Sequence, residues 1–423
     1  MPDLVIDVSR LVGRRFKRRL PTGIDRVGLA YVRHYRQSAR AALSIGSRSL
    51  VLPPRESDRL FEHLLSHDDE RSFLRTAIAA AIRAPIAADT VDSWFLNTGH
   101  TGLHRAGYEA MIASAKVKPL YVVHDLIPIT HPQYCRAPEA SLHAERMTRA
   151  IRSGAAIVCN SHATFESLSA FAATRGLTVP PATVAPLGTD PLPGAVATAA
   201  RAEAPIAGPY FLMLGTIEPR KNHLLMLQVW QRLRETLGPS APKLVLVGQA
   251  GWECEHVHRM LDRTPALRSH VIRPGRCDDA QLHRWIAHAR ALLFPSFAEG
   301  FGLPLVEALQ WGLPVLASDL PVFREVAQDL PEYLDPLDSA GWLQAVLDYS
   351  APGHRRRERR IEAIRDFAAP TWADHFAKVD ALMSRIDVAR SASRQPREPA
   401  APARRAPAGG PIDAPSAKPL HDA

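Results

Sequence analysis

Cysteine is scarce in this chain of 423 residues, which contains only Cys135, Cys159, Cys254 and Cys277. Their spacing matches neither a metal site nor a disulfide framework. No apolar run is long enough to cross a bilayer as a helix. The segment Met1–Asp7 lacks the basic region and the long apolar stretch of a secretory signal. We therefore expect four reduced thiols in a cytoplasmic protein.

Several catalytic signatures are also absent. The sequence has no G-x-x-x-x-G-K-[ST] phosphate loop and no G-x-G-x-x-G dinucleotide fingerprint after its first apolar run. It has no G-x-S-x-G nucleophile elbow. Its 18 histidines show no H-E-x-x-H spacing. These absences argue against the corresponding chemistries, and we expect neither a metal site nor a bound cofactor.

The net charge of +9 is concentrated in three basic patches, which are Arg10–Arg19, Arg355–Arg360 and the tail from residue 388. Nucleic acid, anionic lipid and a plain solvated surface are the alternative explanations of such patches. A nucleic-acid binder needs aromatic side chains among its basic residues. The first patch contains only Phe16 and the tail contains none, so we expect no nucleic-acid partner.

Short apolar runs alternate with helical patterns along the chain, in which apolar residues make up 46%. Runs that are apolar throughout are typical of parallel strands covered on both faces. We predict strands at Leu4–Val8, Ser93–Leu96, Leu120–Val123, Ala156–Cys159, Tyr210–Leu214, Leu244–Val247, Leu292–Phe294 and Val315–Ala317. The pattern indicates an α/β protein with two doubly wound, Rossmann-like domains.

Composition divides the chain into five parts. A first domain at 1–190 is followed by a linker at 191–209, which has Pro and Gly at both ends and no core-facing period. A second domain occupies 210–370, and an amphipathic helix follows at 371–387. The tail at 388–423 contains seven prolines, and its composition predicts disorder.

The segment from Glu299 to Glu307 follows the predicted strand Leu292–Phe294. Its glycines let a ligand approach the backbone, and Pro304 suits the start of a helix. A helix N-terminus after a glycine turn is a ready site for a diphosphate. Two isolated acids would be ordinary surface residues. Together with the strand, the glycines and the proline, they indicate a site in which one carboxylate holds a sugar and the other a ribose.

Two cations, Arg220 and Lys221, follow the predicted strand Tyr210–Leu214 just before an amphipathic helix. A solvated pair is the plain alternative. Cations at a helix N-terminus oppose the helix dipole, so an anion there would explain them. They could neutralise a diphosphate and stabilise the negative charge on a departing nucleotide.

Two weaker signals lie in the first half of the chain. His124 and Asp125 follow the predicted strand Leu120–Val123 and should face a cleft. A satisfied core histidine is the common alternative. Gly23 precedes a helical pattern, where its backbone could meet a phosphate or an acceptor. A simple turn at the helix start is an equally good explanation.

These segments resemble the family-4 retaining glycosyltransferases, which have the GT-B fold. The resemblance is closest from Tyr210 to about Asp338. The matching segments there are Gly215–Asn222, Leu244–Gly248, Gly275 with Asp278–Leu282, Phe294–Pro304, Glu307-Ala308, Gly312–Val315, Ser318 and Glu325-Val326. Weaker matches in the first half are Thr22–Ile24, His124-Asp125, Asn160-Ser161 and Pro186–Asp190.

The resemblance implies a role for each matching residue. Glu299 would contact the donor sugar and Glu307 the ribose, while Arg220 and Lys221 would bind the diphosphate. His124 would lie beside the sugar near the reacting carbon. The backbone around the donor would come from Gly23, Gly215, Gly248, Gly300, Phe301, Gly302 and Leu303. Some members carry a further Arg at the position of Thr216, so the phosphate clamp of this chain would lack it.

The resemblance also implies retention of anomeric configuration without a metal, and a last helix that crosses back to the first domain. The motifs look most like those of bacterial capsule, exopolysaccharide and O-antigen transferases, which favours mannose from GDP-mannose. Acceptors of such enzymes are polyprenyl-diphosphate-linked saccharides. We therefore expect peripheral contact with an anionic membrane, or with the acceptor diphosphate, through Arg14, Arg15, Lys17, Arg18 and Arg19.

Two rival classes stay open beside this interpretation. Another GT-B enzyme, such as a nucleotide-sugar epimerase or a sugar phosphorylase, should lack either the Arg-Lys pair or the two-glutamate segment. A non-catalytic nucleotide-sugar or polysaccharide binding protein should have a degenerate site. This sequence has both motifs and no visible degeneration, so we expect a hexosyltransferase.

Overall fold

The computed structural model describes residues 3–17, 21–45, 48–66, 90–105, 107–190, 193–275 and 277–394. Within these ranges the chain forms two sheets that are parallel apart from one antiparallel edge pair. The two doubly wound α/β domains predicted from the sequence are confirmed.

In the described part of the chain, the first sheet has the strand order β3-β2-β1-β4-β5-β6-β7. Its strands are β1 (Leu4–Asp7), β2 (Ala39–Ile45), β3 (Arg48–Val51), β4 (Trp94–Asn97), β5 (Lys118–Val123), β6 (Ala156–Cys159) and β7 (Ala182–Val184). Its helices are α1 (Ser9–Phe16), α2 (Gly23–Tyr35), α3 (Pro54–Leu65), α4 (Gly107–Ala115), α5 (Ile127–Thr130), α6 (Glu139–Ser153) and α7 (His162–Ala173). A 3-10 turn lies at Pro132–Tyr134.

The second sheet has the order β10-β9-β8-β11-β12-β13 among the described residues. Its strands are β8 (Tyr210–Leu214), β9 (Lys243–Val247), β10 (Val271–Ile272), β11 (Leu292–Phe294), β12 (Val315–Ser318) and β13 (Glu332–Leu334). The helices after the first unit are α8 (Gly194–Arg201), α9 (His223–Leu237), α10 (Glu255–Arg263), α11 (Pro265–Arg268), α12 (Asp279–His288), α13 (Leu303–Gln310), α14 (Pro321–Ala327), α15 (Ser339–Ser350), α16 (Arg355–Ala363) and α17 (Trp372–Arg394). Short 3-10 turns lie at Pro219–Lys221 and Gly238–Ser240.

Successive side chains of the central strands pack into cores on opposite faces of each sheet, because the side-chain period of a strand is two. In β8, Tyr210 and Leu212 belong to one buried cluster, whereas Phe211 and Met213 belong to another. All six residues of β5 are likewise buried. This two-sided burial explains why the central strands are apolar throughout.

The strands predicted at Ala156–Cys159, Tyr210–Leu214 and Leu292–Phe294 have the observed bounds, and the other five differ by one or two residues at an end. Sequence reasoning missed β2, β3, β7, β10 and β13. Most of these lie at or next to a sheet edge, where a strand needs fewer apolar residues. The short strands β7 and β10, for example, contain only partly buried residues.

The predicted linker at 191–209 contains a helix, α8, instead of being irregular throughout. Alanine, which has the highest helix propensity, is frequent in this segment. Ala200 is buried, and the Arg201 guanidinium donates to the carbonyl oxygen of Trp311 at 3.4 Å. Packing against the second unit therefore stabilises what sequence alone presented as a spacer.

The last helix, α17, packs on the first unit. The Phe376 ring stacks on His34 with centroids 3.9 Å apart and meets Tyr31 edge-on at 5.1 Å. The Tyr35 hydroxyl donates to Asp380 at 2.7 Å. The helix extends to Arg394 and so includes the first residues of the predicted disordered tail; residues 395–423 lie outside the described ranges.

No helix in the described part of the chain has the length and apolar character required to span a membrane.

We predict that Phe376→Ala destabilises the fold because it removes the apolar contact between α17 and α2. Phe376 is only 3% exposed, and replacing a buried Phe by Ala costs about 3 kcal/mol or more. Val388→Ala on the same helix is the control, since Val388 is 71% exposed. Urea unfolding should show a clear loss for Phe376→Ala and almost none for Val388→Ala. Equal effects of the two changes would contradict this account of the docking.

Candidate functional site

The loop that carries Glu299 lies between the end of β11 and the start of α13. Gly302 is the N-terminal cap of α13 and has the left-handed angles φ 100° and ψ 44°. A Cβ atom added there would lie 2.8 Å from the Phe323 ring. Glycine is therefore required for this turn, and Pro304 follows within the first turn of α13.

Glu299 is paired with both cations that sequence reasoning had singled out. The Arg220 guanidinium lies 2.7 Å from Oε2 of Glu299, and the Lys221 ammonium contacts Oε1. The side chains of Glu299 and Lys221 are only 8% and 10% exposed. The three residues thus form one compact charged group, which we call the Glu299 cluster.

The chain after β8 is shaped to bring the two cations to Glu299. Pro219–Lys221 forms a 3-10 turn, and Asn222, in the left-handed region (φ 55°), is the N-terminal cap of α9. The Arg220 carbonyl accepts a hydrogen bond from the Phe297 amide at 2.8 Å, and its guanidinium donates to the Ala298 carbonyl at 3.0 Å. The turn and the Glu299 loop are thereby joined through their backbones.

Electrostatics hold the Glu299 carboxyl in its charged form. Burial acts to raise its pKa, but Arg220 and Lys221 outweigh burial and lower the pKa to about 2. Burial lowers the pKa of Lys221, although Glu299 acts in the opposite direction. For Arg220 the carboxylates of Glu299 and Glu218 overcome burial and raise the pKa. Glu299 is therefore an acceptor of hydrogen bonds at neutral pH and a poor proton donor.

His124 lies at the end of β5 in the first unit. Its Nε2 is 2.6 Å from the Thr98 carbonyl oxygen, which can only accept a hydrogen bond. Burial lowers the pKa of His124, so the ring is neutral near pH 7. The hydrogen therefore sits on Nε2, and Nδ1 keeps a lone pair that can accept a hydrogen bond.

The loop of the second unit meets the end of β5 at Gly300. A Cβ atom added to Gly300 would overlap the carbonyl oxygen of His124. The Ser161 hydroxyl donates to the Gly300 carbonyl at 3.1 Å. Nearby, the Tyr134 and Phe297 rings stack with centroids 4.9 Å apart. These contacts place the segments of Glu299 and His124 side by side across the interface of the two units.

Two further predicted glycines also lie where the backbone is crowded. Gly215 has a φ of 127°, and a Cβ atom added to Gly248 would overlap the Gly215 carbonyl oxygen. The ends of β8 and β9 pack so closely that a side chain at Gly248 would not fit between them. In the first unit, a Cβ atom on Gly23 would lie 3.8 Å from Leu303, so the start of α2 lies close to the start of α13.

Glu307 has a partner that sequence reasoning missed. It lies on α13, and its carboxylate forms an ion pair with Arg26 on α2, across the interface. Arg26 comes three residues after Gly23 in the chain, but no local motif marks it. Only the fold, which brings residues 281 positions apart together, identifies this contact.

The proposed acceptor or membrane cluster is not a uniform exposed surface. Arg14 lies 2.7 Å from the buried Asp25 carboxylate. Arg15 donates to the carbonyl oxygens of Ser66, at 2.9 Å, and His63 at the end of α3. Arg14 and Arg15 therefore serve partners inside the fold, because a buried carboxylate and the last carbonyls of a helix require donors. The acceptor or membrane role of the cluster stays a prediction.

Of the other members of that cluster, Lys17 is exposed, whereas Arg18 and Arg19 lie outside the described residues. The described ranges contain no group of three or more His, Cys, Asp or Glu side chains placed to hold a metal.

Known proteins with similar folds and sequences show what this chain resembles. Two Rossmann-like domains that meet at the ends of their strands define a GT-B fold. The crystal structure of Anabaena HepE in complex with UDP-glucose is similar, with a TM-score of 0.60 and 15% sequence identity. The match covers 93% of this chain and 100% of that one. Residues 199–335 match the family described as Glycosyl transferases group 1. Residues 199–335 are therefore similar to that family, and the described part of the chain has a GT-B fold.

Curated relatives match over a longer stretch. The serotype-specific mannosyltransferase WbdA of Escherichia coli is 30% identical over 300 residues, which cover 65% of this chain and 34% of that protein. The O-antigen chain mannosyltransferase B of Escherichia coli is 39% identical over 146 residues, 33% of this chain and 38% of that one. The matched stretch thus spans about a third of the length of these relatives. The expected resemblance is confirmed.

The Glu299 cluster predicts a specific pH dependence of stability. An unfolded Glu has a pKa of about 4.3, whereas folding holds that of Glu299 at about 2. Below about pH 4.3 the unfolded chain binds more protons than the folded chain. The stability that the ionised Glu299 contributes is therefore complete above that pH and is lost as the pH falls towards 2. It can reach about 3 kcal/mol.

Urea unfolding at several pH values between 5 and 3 tests this. Glu299→Gln should flatten the fall of the unfolding free energy with decreasing pH. Glu235→Gln is the matched control, because Glu235 forms an exposed pair with Arg232 at 3.0 Å. A Glu299→Gln profile parallel to that of the unchanged protein would contradict the assigned electrostatics.

Proposed function

We propose that this chain is a retaining hexosyltransferase that moves a sugar from a nucleotide sugar to a lipid-linked saccharide or growing polysaccharide. The observation that carries the proposal is the Glu299 cluster, which lies where the two units meet and contains one ionised acceptor and two cations. A sugar offers hydroxyl donors and a diphosphate offers negative charge. The cluster is complementary to both.

Each residue has a role in this proposal that follows from its chemistry. The ionised Glu299 accepts hydrogen bonds from hydroxyls of the donor sugar, and the lone pair on Nδ1 of His124 accepts another from the opposite side. Arg220 and Lys221 bind the diphosphate and stabilise it as it leaves. Glu307 accepts from the ribose hydroxyls. The free backbone N–H groups at the start of α13, from Phe301 to Leu303, contact the phosphates.

The proposed reaction replaces one bond at the anomeric carbon. The bond between this carbon and the diphosphate oxygen breaks on one face of the sugar. The acceptor hydroxyl oxygen forms its bond on the same face, which retains the configuration, and its proton passes to the leaving phosphate. Glu299 is unsuited to act as the base because its pKa is lowered. No metal or bound cofactor is needed, since the two cations supply the positive charge.

Mannose from GDP-mannose is the donor we favour, because the relatives WbdA and O-antigen chain mannosyltransferase B are named as mannosyltransferases. The name of the second relative, with its O-antigen chain, favours an acceptor in surface polysaccharide synthesis. We place the protein in the cytoplasm, in peripheral contact with the inner face of the cell membrane. A nucleotide-sugar epimerase or a non-catalytic binding protein is the alternative. Either would release or hold the sugar without joining it to an acceptor hydroxyl.

We predict that Glu299→Gln lowers sugar transfer by about a hundredfold or more. The amide carries no charge to attract the sugar hydroxyls, and the change removes the carboxylate that pairs with both cations. Purified protein is first incubated with a panel of nucleotide sugars, and slow hydrolysis selects the donor. Transfer is then measured with that donor and a lipid-linked saccharide, with and without EDTA. Activity should persist in EDTA.

Glu235→Gln is the control for this loss and should keep full transfer, and circular dichroism should show both variants folded. Full activity of a folded Glu299→Gln variant would overturn the catalytic assignment. Hydrolysis or binding without any transfer would favour the two alternative classes.

Lys17 and the next two residues of the basic cluster, Arg18 and Arg19, give a separate prediction about membranes. Each basic residue near an anionic surface contributes about 1 kcal/mol, so changing Lys17, Arg18 and Arg19 together to Ser should greatly reduce sedimentation with phosphatidylserine vesicles. Arg14 and Arg15 stay unchanged because they have internal partners.

A matched control changes three exposed arginines on and after α16, Arg355, Arg359 and Arg365, to Ser. If the first cluster binds the membrane, this control retains sedimentation. Equal losses in both triple variants would indicate general charge attraction, and an unchanged first variant would eliminate the membrane role.

A further inference from the structure

Arg26 lies in the first turn of α2 and is held in a rigid setting. Thr22 and Asp25 form a capping box, in which the Thr22 amide donates to the Asp25 carboxylate at 2.6 Å. Asp25 is buried and also accepts from Arg10 at 2.8 Å and pairs with Arg14 at 2.7 Å. The backbone that carries Arg26 is thus anchored to α1 by two ion pairs.

From this anchored turn, the Arg26 guanidinium crosses the interface to the Glu307 carboxylate on α13. The Glu307 side chain is 18% exposed and that of Arg26 is 43% exposed, so the pair borders the solvent. The start of α2 and the start of α13 approach each other here, with Gly23 next to Leu303. The pair therefore joins the two units at the mouth of the candidate donor site.

A carboxylate can accept about four hydrogen bonds. An arginine that occupies one side of Glu307 leaves lone pairs for two ribose hydroxyls on the other side. The guanidinium also holds the carboxylate in one orientation, which reduces the entropy lost when a ribose binds. An isolated exposed ion pair adds little to the stability of a fold. We therefore expect the Arg26–Glu307 pair to contribute to ligand binding instead.

We propose that Arg26 is a positioning residue for the donor, which orients the Glu307 carboxylate towards the ribose and links ribose binding to contact between the two units. This inference rests on the proposed function, because it takes Glu307 as the ribose ligand. It adds a residue of the first unit to the ribose part of the site, which is otherwise built from the second unit.

The test compares ligands with and without ribose hydroxyls. Binding of GDP, and of UDP and ADP if GDP does not bind, is measured by calorimetry for the unchanged protein, Arg26→Ala and Arg26→Lys. The same titrations use the 2′,3′-dideoxy form of the nucleotide that binds. We expect Arg26→Ala to weaken binding of the ribonucleotide about fivefold or more and to leave binding of the dideoxy form nearly unchanged. Arg26→Lys should bind the ribonucleotide almost as tightly as the unchanged protein.

Two further variants sharpen the result. Arg33→Ala is the matched control, because Arg33 lies on the same helix and pairs with Asp190 at 3.3 Å instead of Glu307. It should bind the ribonucleotide normally. In a Glu307→Gln background, Arg26→Ala should cause no additional loss, since both changes act through one carboxylate.

The possible results distinguish a failure of the proposed function from a failure of the role given to Arg26. If the unchanged protein binds none of the three nucleotides, the proposed function fails and this inference fails with it. If it binds one of them but Arg26→Ala weakens the ribonucleotide and its dideoxy form equally, only the role of Arg26 is overturned. Tighter binding by Arg26→Ala would also overturn it, because the pair would then compete with the ribose.

Discussion

The burial of one carboxylate between two cations is the constraint on which the rest of the site depends. Glu299 could not stay charged at 8% exposure without Arg220 and Lys221. The turn after β8 and the loop after β11 must therefore keep a fixed relative position. The hydrogen bonds of Arg220 with the Phe297 amide and the Ala298 carbonyl hold them there. The glycines around the cluster then follow from the small space that remains between the two units.

The first unit contributes few charged groups to this interface but determines its geometry. The backbone of His124 abuts Gly300, and Glu325 on α14 accepts from the amides of His162 and Ala163 at 2.7 and 3.1 Å. The N-terminus of α7 thereby receives a carboxylate from the other unit, which complements its dipole. Together with the Arg26–Glu307 pair, these contacts join the units on several sides of the candidate donor site.

Sequence reasoning located the central strands and the residues at their ends, because two-sided burial and glycine turns leave a local signal. It therefore identified Glu299, Arg220, Lys221 and His124 separately. It did not predict that the two cations pair with Glu299, since a contact between Lys221 and Glu299 joins residues 78 positions apart. The same limit hid Arg26. It also made Arg14 and Arg15 look like a free surface, because the buried partner of Arg14 and the carbonyls that accept from Arg15 become visible only in the fold.

The docking of α17 on the first unit has a consequence for biosynthesis. This helix follows the whole second unit in the chain, yet its Phe376 covers Tyr31 and His34 on α2. While the chain emerges from the ribosome, that aromatic surface stays uncovered until the second unit has been translated. The nascent first unit thus stays incomplete while the second unit is made, and the docking of α17 joins two segments that are synthesised at well-separated times.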